Sequence, residues 1–227
     1  MGEHPDGAGL RGRFRAQVRD DVKRLALRQL AESGPQALSL NAIAKELGVS
    51  GPALYRYFAN RDSLLTDLVI DAYRDLAAAL EAATASREDP AARLVALVHA
   101  YRAWAVAEPH RYRLLFRAPL PGYDAQSEQL VHASQLAMNV AAGVMSDLTR
   151  TAPHPVPGPL GPQLEQWAER RGLAGVTATA ALQATTLWAR LHGWVTLEIE
   201  GNFASMGLDP APQYDAEADA VIRPFTV

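Results

Sequence analysis

The chain has 227 residues and a formal net charge of −3, from 22 lysines and arginines against 25 aspartates and glutamates. This length allows one or two domains with a sizeable core, and 48% hydrophobic with 21% charged residues is typical of a globular protein. The absence of cysteine excludes disulfide frameworks, thiolate metal sites and cysteine nucleophiles. The weakly acidic total argues against a nucleic-acid partner only if the charge is spread evenly.

Positive charge is concentrated near the beginning of the chain. Residues 1–65 contain ten basic and seven acidic residues, a segment charge of +3, whereas the remainder has 12 basic and 18 acidic residues and carries −6. A basic end on an acidic body indicates an end that meets an anionic partner. A chance difference of this size is the alternative interpretation.

The first predicted element is a helix that begins at Phe14. Residues 1–13 are rich in glycine and polar residues and contain no apolar run, so we expect a disordered tail and no signal peptide. From Phe14 to Leu30, apolar residues recur at the spacing of an amphipathic helix, which Gly34 and Pro35 end.

The rest of the chain is also predicted to be helical. No run of alternating β-branched residues indicates a strand, so the expected fold class is all-α. The predicted elements are, in order, helices at about 39–47, 51–58, 61–83, 90–107 and 110–116, a turn at 119–122, a helix at 124–149, a proline-rich loop at 151–162, and helices at 163–170, 176–200 and 212–222.

One predicted helix contains the longest weakly charged stretch, residues 175–197. It is long enough to cross a bilayer, which needs about 20 residues. Arg190 lies near its centre, however, and arginine there costs roughly 2.5–3.5 kcal/mol on the insertion scale. We therefore expect a buried helix in a cytoplasmic protein with no membrane partner.

Residues 39–58 have the pattern of two short helices joined by a tight turn. Ser39 is a good N-cap for the first helix, and Gly48 ends it where a left-handed residue is needed. Val49 is expected to pack inward in the turn. Ser50 can cap the second helix, with Pro52 in its first turn. Leu54 and Phe58, four apart, would anchor it, and the whole pattern predicts a helix-turn-helix.

A helix-turn-helix places its second helix in the major groove of DNA. The small residues Gly51, Pro52 and Ala53 permit close approach, and Pro52 and Ala53 can touch thymine methyl groups. Arg56 can reach a guanine or a phosphate. The remaining candidate DNA-binding residues, which carry donors for phosphate oxygens or lie at the helix start, are Ser39, Asn41, Ser50, Tyr55, Tyr57 and Arg61.

This segment resembles the tetracycline-repressor-like (TetR) transcriptional regulators over residues 15–65. The matching pieces are Ile43-Ala44, Gly48-Val49-Ser50, Leu54-Tyr55, Tyr57-Phe58 and Asn60-Arg61-Asp62 before Leu64-Leu65. Pro52-Ala53 departs from the Gly-Thr of many members, which puts one phosphate contact in doubt. Arg61 replaces a commoner lysine and keeps the charge.

The resemblance implies a DNA-binding head at 14–60, a linking fourth helix at 61–83, and a ligand-sensing and dimerisation body across 61–227. It also implies a homodimer on a near-palindromic operator of double-stranded DNA, and a small-molecule effector. The sequence Leu191-His192-Gly193-Trp194 resembles the Trp-His-Gly type of C-terminal domain found in some actinobacterial members, although the residue order differs.

The helix at 176–200 is apolar around much of its circumference, so it must be covered on more than one side. Trp188 and His192 fall on one face at helical spacing. Leu187, Leu191 and Trp194 fall on a neighbouring face, which we assign to the dimer interface that the resemblance implies. Burial of all these residues within one body is the alternative.

Large aromatics, adaptable methionines and one imidazole in the body suit an apolar ligand pocket with an orienting polar group. Each of these residues alone is equally compatible with plain core. The candidate ligand-binding residues are Tyr101, Trp104, Phe116, Met138, Met145, Trp188 and His192.

Enzyme motifs are absent from the sequence, which has no nucleophile elbow, P-loop, dinucleotide fingerprint or His-Glu-x-x-His. No two of its six histidines are spaced to form a helical metal site, so no catalytic residue, metal or cofactor is predicted. The expected function is that of a repressor released from its operator by a small apolar molecule. A small-molecule-binding protein or enzyme with a vestigial head is the alternative, and the sequence does not distinguish a repressor from an activator.

Overall fold

The computed structural model of the protein describes residues 6–116, 127–150 and 155–225, with side chains from residue 12 onward. These ranges form helices and contain no strand, which confirms the all-α prediction. The helices are α1 (Asp6–Ser33), α2 (Leu40–Glu46), α3 (Gly51–Leu54), α4 (Arg61–Ala85), α5 (Pro90–Ala107), α6 (Pro109–Phe116), α7 (Glu128–Thr149), α8 (Leu160–Arg170), α9 (Ala178–Ile199), α10 (Asn202–Ser205) and α11 (Ala211–Ile222).

The first helix is longer than expected. It begins at Asp6 rather than at Phe14, so residues 6–13 are helical and not the predicted disordered tail. Once the amphipathic part of α1 has formed, each further residue adds a hydrogen bond at little cost, and this extends the helix through a glycine-rich segment. Residues 1–5 of the expected tail lie outside the described residues.

Two other helices differ from the prediction at their ends. The helix α3 ends at Leu54 instead of residue 58, because Tyr57 N–H donates to Leu54 O (2.9 Å), which tightens the chain into a turn. The helix α8 begins at Leu160, three residues early, with Pro162 in a first turn that tolerates its missing N–H. The predicted turn at 119–122, the start of the helix at 124–126 and loop residues 151–154 lie outside the described residues.

Two hydrophobic cores organise the chain, and α4 crosses both. Its first half supplies Leu64, Leu65 and Leu68 to a head core built on α1, α2 and α3. Its second half supplies Leu76 and Leu80 to a body core shared with α5, α7, α9 and α11. The linking helix is therefore one rigid element that belongs to both parts.

The helix α6 also touches both cores. Tyr112 belongs to the body core and Leu114 to the head core. No helix in the described part of the chain is long and apolar enough to cross a membrane. The helix α9, which contains the weakly charged stretch, instead packs on the body, where Arg190 pairs with Glu217 of α11 (2.8 Å).

Candidate nucleic-acid interface and effector cluster

Both helices of the helix-turn-helix begin at a serine cap. The Ser39 hydroxyl accepts a hydrogen bond from Ala42 N–H (3.3 Å), and the Ser50 hydroxyl accepts one from Ala53 N–H (3.4 Å). A capping hydroxyl acts as acceptor toward the helix, so its own proton stays available to a phosphate oxygen. The two predicted caps are thus present, and both keep a donor for DNA.

The turn between α2 and α3 is closed by a Schellman motif. Gly48 adopts a left-handed conformation (φ 67°), Gly48 N–H donates to Lys45 O (3.2 Å), and Val49 N–H donates to Ala44 O (3.0 Å). The expectation that Val49 packs inward is wrong: the backbone turn directs its side chain outward, where it is 39% exposed. Val49 and Tyr55, which is 46% exposed, are therefore both apolar groups able to contact DNA.

The start of α3 is pressed against α2. A Cβ atom at Gly51 would lie 3.3 Å from Asn41 Oδ1, so Gly51 permits the close approach of the two helices. Asn41, Pro52 and Arg56 are exposed beside this contact, and Ala53 is half-buried. The short residues therefore serve the packing of the motif as well as any approach to a base.

Several basic residues of the head are already paired within the chain. Arg19 pairs with Asp67, and Lys23 lies 2.7 Å from Asp71, which joins α1 to α4. Arg28 pairs with Glu46 and so joins α1 to α2. These cations fix the relative positions of the head helices and are not free for a phosphate.

Five other basic side chains of the head form no ion pair with any residue that the structure describes: Arg13, Arg15, Lys45, Arg56 and Arg61. Arg61 lies in the first turn of α4 beside its Asn60 cap, and its buried Nε has no hydrogen-bond partner in the described part of the chain. Lys45 was not among the predicted site residues. It is exposed in the last turn of α2, and a basic residue at that position of the sequence could have indicated a phosphate contact.

Tyr57 is positioned by contacts with two arginines of α1. Its carbonyl oxygen accepts a hydrogen bond from Arg19 Nη1 (2.9 Å), and the Arg15 guanidinium lies 5.8 Å from its ring centre. Arg15 Nη2 also donates to Arg56 O (3.5 Å). The turn after α3, which carries three predicted DNA contacts, is therefore positioned by arginines of the first helix.

In the body, four of the predicted ligand residues meet in one aromatic cluster. Tyr101 and Trp188 are edge-to-face with centroids 5.2 Å apart, and Phe116 lies 4.4 Å from the His192 ring and 6.4 Å from Trp188. We call this group, with Tyr112, the effector cluster. Three other predicted residues pack elsewhere in the same core: Trp104, Met138 and the fully buried Met145.

Tyr112 is the cluster residue that sequence reasoning missed. Its hydroxyl lies 2.7 Å from His192 Nδ1 and 2.8 Å from Thr196 Oγ1, so it joins α6 to α9. Its spacing of four from Phe116 places both rings on one face of α6, which is the signal that could have found it.

The polar groups of the cluster are strongly desolvated. Burial lowers the pKa of His192 below its ordinary 6.5, so the ring is neutral at pH 7. Burial also raises the pKa of Tyr101 well above its usual value, with a smaller upward contribution from Tyr112. The Tyr101 hydroxyl makes no hydrogen bond of normal geometry with the described residues, and Tyr112 is the polar neighbour that contributes most to raising its pKa.

Two of the three predicted dimer residues, Leu187 and Leu191, belong to the chain's own core, which corrects the expectation for these two, whereas Trp194 is half-buried. Leu187 and Leu191 are 1% and 0% exposed, so they offer no surface to a second chain. Trp194 stacks on Phe203 with centroids 5.6 Å apart. The apolar pattern identified residues that share a face of α9, but α9 packs against α5, α7, α8, α10 and α11 of the same chain.

The opposite face of α9 remains open in the single chain. Its residues follow helical spacing and are small or apolar: Leu182, Thr186, Ala189, Gly193 and Leu197. Ala189 and Gly193 are exposed, and Leu197 is 42% exposed.

The described residues contain no group of three histidines, aspartates or glutamates placed to hold a metal ion.

Two protein families match the chain. Residues 24–68 match the family described as bacterial regulatory proteins, tetR family, and residues 94–221 match the tetracyclin repressor-like C-terminal domain. The HTH-type transcriptional regulator Rv1816 of Mycobacterium tuberculosis is 33% identical over 225 residues, which cover 94% of each chain.

Solved structures have the same architecture. The regulatory protein SCO4313 is 41% identical, with a TM-score of 0.80 over 94% of this chain and 98% of that one. The regulator FadR of Bacillus subtilis, crystallised with stearoyl-CoA, has a TM-score of 0.63 over 89% of this chain and 96% of that one. At 12% identity, the second likeness is one of fold alone.

Proposed function

Because the chain belongs to the tetR family of bacterial regulatory proteins, we propose that it is a dimeric, ligand-responsive repressor of transcription in the cytoplasm. The observation that carries the proposal is the head, where two serine-capped helices meet at Gly48 among unpaired cations. Such a surface suits the major groove and its flanking phosphates. Arg56 is assigned to a base edge, Pro52 and Ala53 are assigned to thymine methyl groups, and the predicted residues with side-chain donors position the chain on the backbone.

The effector acts through α6, which contacts both cores. On the body side, Tyr112 binds His192 and Phe116 packs on the same ring. On the head side, Arg111 pairs with Asp75 of α4, and Tyr73 of α4 donates to Leu115 O (3.2 Å). A molecule that enters the effector cluster moves α6, and α6 moves α4 and the head.

Small apolar molecules with a hydrogen-bond acceptor are the expected effector class. Aromatic side chains surround the cluster, and the Tyr101 hydroxyl supplies a donor that makes no hydrogen bond of normal geometry with the described residues. The protein has two states that differ in the position of the head. Such a molecule releases the operator only if its affinity for these two states is unequal.

The homodimer is assigned to the open face of α9. Small residues at Ala189 and Gly193 allow two α9 helices to approach closely across a two-fold axis, with Leu197 packing beside them. This arrangement keeps Leu187 and Leu191 in the subunit cores. It replaces the interface inferred from the sequence.

In-vitro selection from a random duplex library at moderate salt tests the function. We expect enrichment of an inverted repeat whose half-sites are about one helical turn, 34–36 Å, apart. Arg56→Ala should then cost about 1–3 kcal/mol of operator binding and relax preference at one base pair. Arg170→Ala, an exposed arginine on α8, is the matched control and should bind normally. A library that shows no enrichment refutes sequence-specific repression.

A thermal-shift screen with neutral aromatic compounds that carry a hydrogen-bond acceptor tests the effector step. A compound that raises the Tm should also lower operator affinity. A compound that binds the DNA-free state more tightly shifts the protein away from the state that binds the operator. Tyr101→Phe should weaken a neutral acceptor-bearing ligand. Turnover of the compound, without any effect on DNA binding, would instead support the enzyme alternative.

A further inference from the structure

The first turns of α1 project beyond the head core. Residues 12–17 are all exposed, and Val22 is the first fully buried residue of the helix. Phe14 is 68% exposed, the largest exposure among the large apolar side chains that the structure describes. A helical segment that contacts so little of its own chain gains little tertiary stabilisation there.

This projecting segment contains the positive charge of the head. Residues 6–19 carry four arginines against the single acid Asp6, a charge of +3, which equals that of the whole segment 1–65. Arg13 is exposed and forms no ion pair within the described part of the chain. The first half of α1 thus adds positive charge to that of Lys45, Arg56 and Arg61, which are unpaired among the described residues.

The projecting segment also lies next to the turn after α3, the helix that we propose enters the major groove. Arg15 donates to Arg56 O (3.5 Å) and lies over the Tyr57 ring, at the end of the segment that enters the groove. Arg13 precedes Arg15 by two residues, about 3 Å along the helix axis, and leaves a different side of α1. The two arginines can therefore contact different phosphates beside the helix that enters the groove.

We propose that residues 6–19 form a basic arm that binds the DNA backbone beside each half-site, with Arg13 and Arg15 as phosphate contacts. The inference rests on DNA binding by the head and extends it to a second surface. Gly12, whose Cβ position meets no atom within 4 Å, lets the segment adjust its course over the backbone. Such contacts strengthen binding to every sequence alike and leave base preference unchanged.

Salt dependence of binding is the direct test. Full-length protein is titrated against a labelled 30-base-pair duplex of scrambled sequence, between about 50 and 200 mM KCl. Each lost phosphate contact should lower the slope of log K against log salt by about 0.9, so Arg13→Gln in both subunits should lower it by about 1.8. Preference for the selected operator over the scrambled duplex should not change.

Arg24→Gln is the matched control because it removes the same charge from an exposed position of α1. Arg24 pairs with Asp21 (2.7 Å) and lies more than two turns beyond Arg15, so its slope should equal that of the unmodified protein. Equal slopes for Arg13→Gln and Arg24→Gln would overturn the arm. Failure of the unmodified protein to bind any duplex would instead overturn DNA binding itself.

The absence of cysteine allows a second, independent measurement. Gly12→Cys can carry a tethered iron chelate that cleaves nearby DNA by hydroxyl radicals. On the selected operator, we expect cuts in the backbone flanking each half-site. Arg170→Cys on α8 should give none, and identical patterns from the two positions would contradict the proposed arm.

Discussion

The hydroxyl of Tyr112 lies 2.7 Å from Nδ1 of His192, and this contact joins α6, the helix that touches both cores, to α9. Burial lowers the pKa of the imidazole, and in its neutral form Nδ1 either accepts from or donates to the hydroxyl, according to the tautomer. Thr196 Oγ1 lies 2.8 Å from the same hydroxyl. Three polar groups thus meet within an apolar cluster, and Thr196 Oγ1 also donates to His192 O (2.7 Å).

Tyr112→Phe should reduce the free energy of unfolding by about 0.5–1.5 kcal/mol, because it removes the hydrogen bonds between the tyrosine hydroxyl and the half-buried His192 and Thr196. Urea denaturation followed by circular dichroism measures the loss. Tyr55→Phe removes the same atom from an exposed ring of the head and should leave the urea midpoint unchanged. An equal effect of the two variants would show that the Tyr112 contact contributes nothing.

The low pKa of His192 predicts a pH dependence of stability. A histidine whose folded pKa lies below its unfolded value of 6.5 binds fewer protons when folded, so stability is full above pH 6.5 and falls as the pH drops through the folded pKa. Unfolding free energies measured from pH 7.5 down to 5 should decline. The decline should be shallower in His192→Gln, and parallel curves for the two proteins would contradict the assignment.

The head was predictable because its signals are local. Ser39, Gly48 and Ser50 act within a few residues of their own position, and the structure contains their caps and turn as expected. The Tyr112 contact is different, since it joins residues 80 positions apart along the chain. Periodicity shows which residues share a helix face, and it does not show which face meets the core.

The same reasoning explains the error on α9. Leu187 and Leu191 are apolar, and either the subunit core or a partner could have buried them. The open face was overlooked because Ala189 and Gly193 have too little apolar surface to form a strong pattern. The first turns of α1 were missed because three glycines among residues 7–12 suggest disorder, whereas the arginines nearby have good helix propensity.

Gly48→Ala should destabilise the head by roughly 1–2 kcal/mol, because alanine is strained at the φ of 67° that the turn requires. Gly143→Ala provides a control with the opposite sign. Gly143 lies inside α7, where an added methyl group would meet no atom within 4 Å, so alanine should stabilise by about 0.5–1 kcal/mol. Urea midpoints at constant m-value measure both, and a neutral Gly48→Ala would mean that the turn relaxes.

A substitution on the open face of α9 should weaken the dimer without unfolding the subunit. Ala189→Leu adds a branched side chain where two α9 helices are expected to approach, and overpacking there should cost about 1–3 kcal/mol, or roughly 5- to 150-fold in dimer Kd. Sedimentation equilibrium measures the change. Ala82→Leu, the same substitution at an exposed position of α4, is the control and should leave the dimer intact. Because Ala189 is exposed in the single chain, the folded subunit should keep its circular dichroism spectrum. A dimer as tight as the unmodified one would place the interface on another surface.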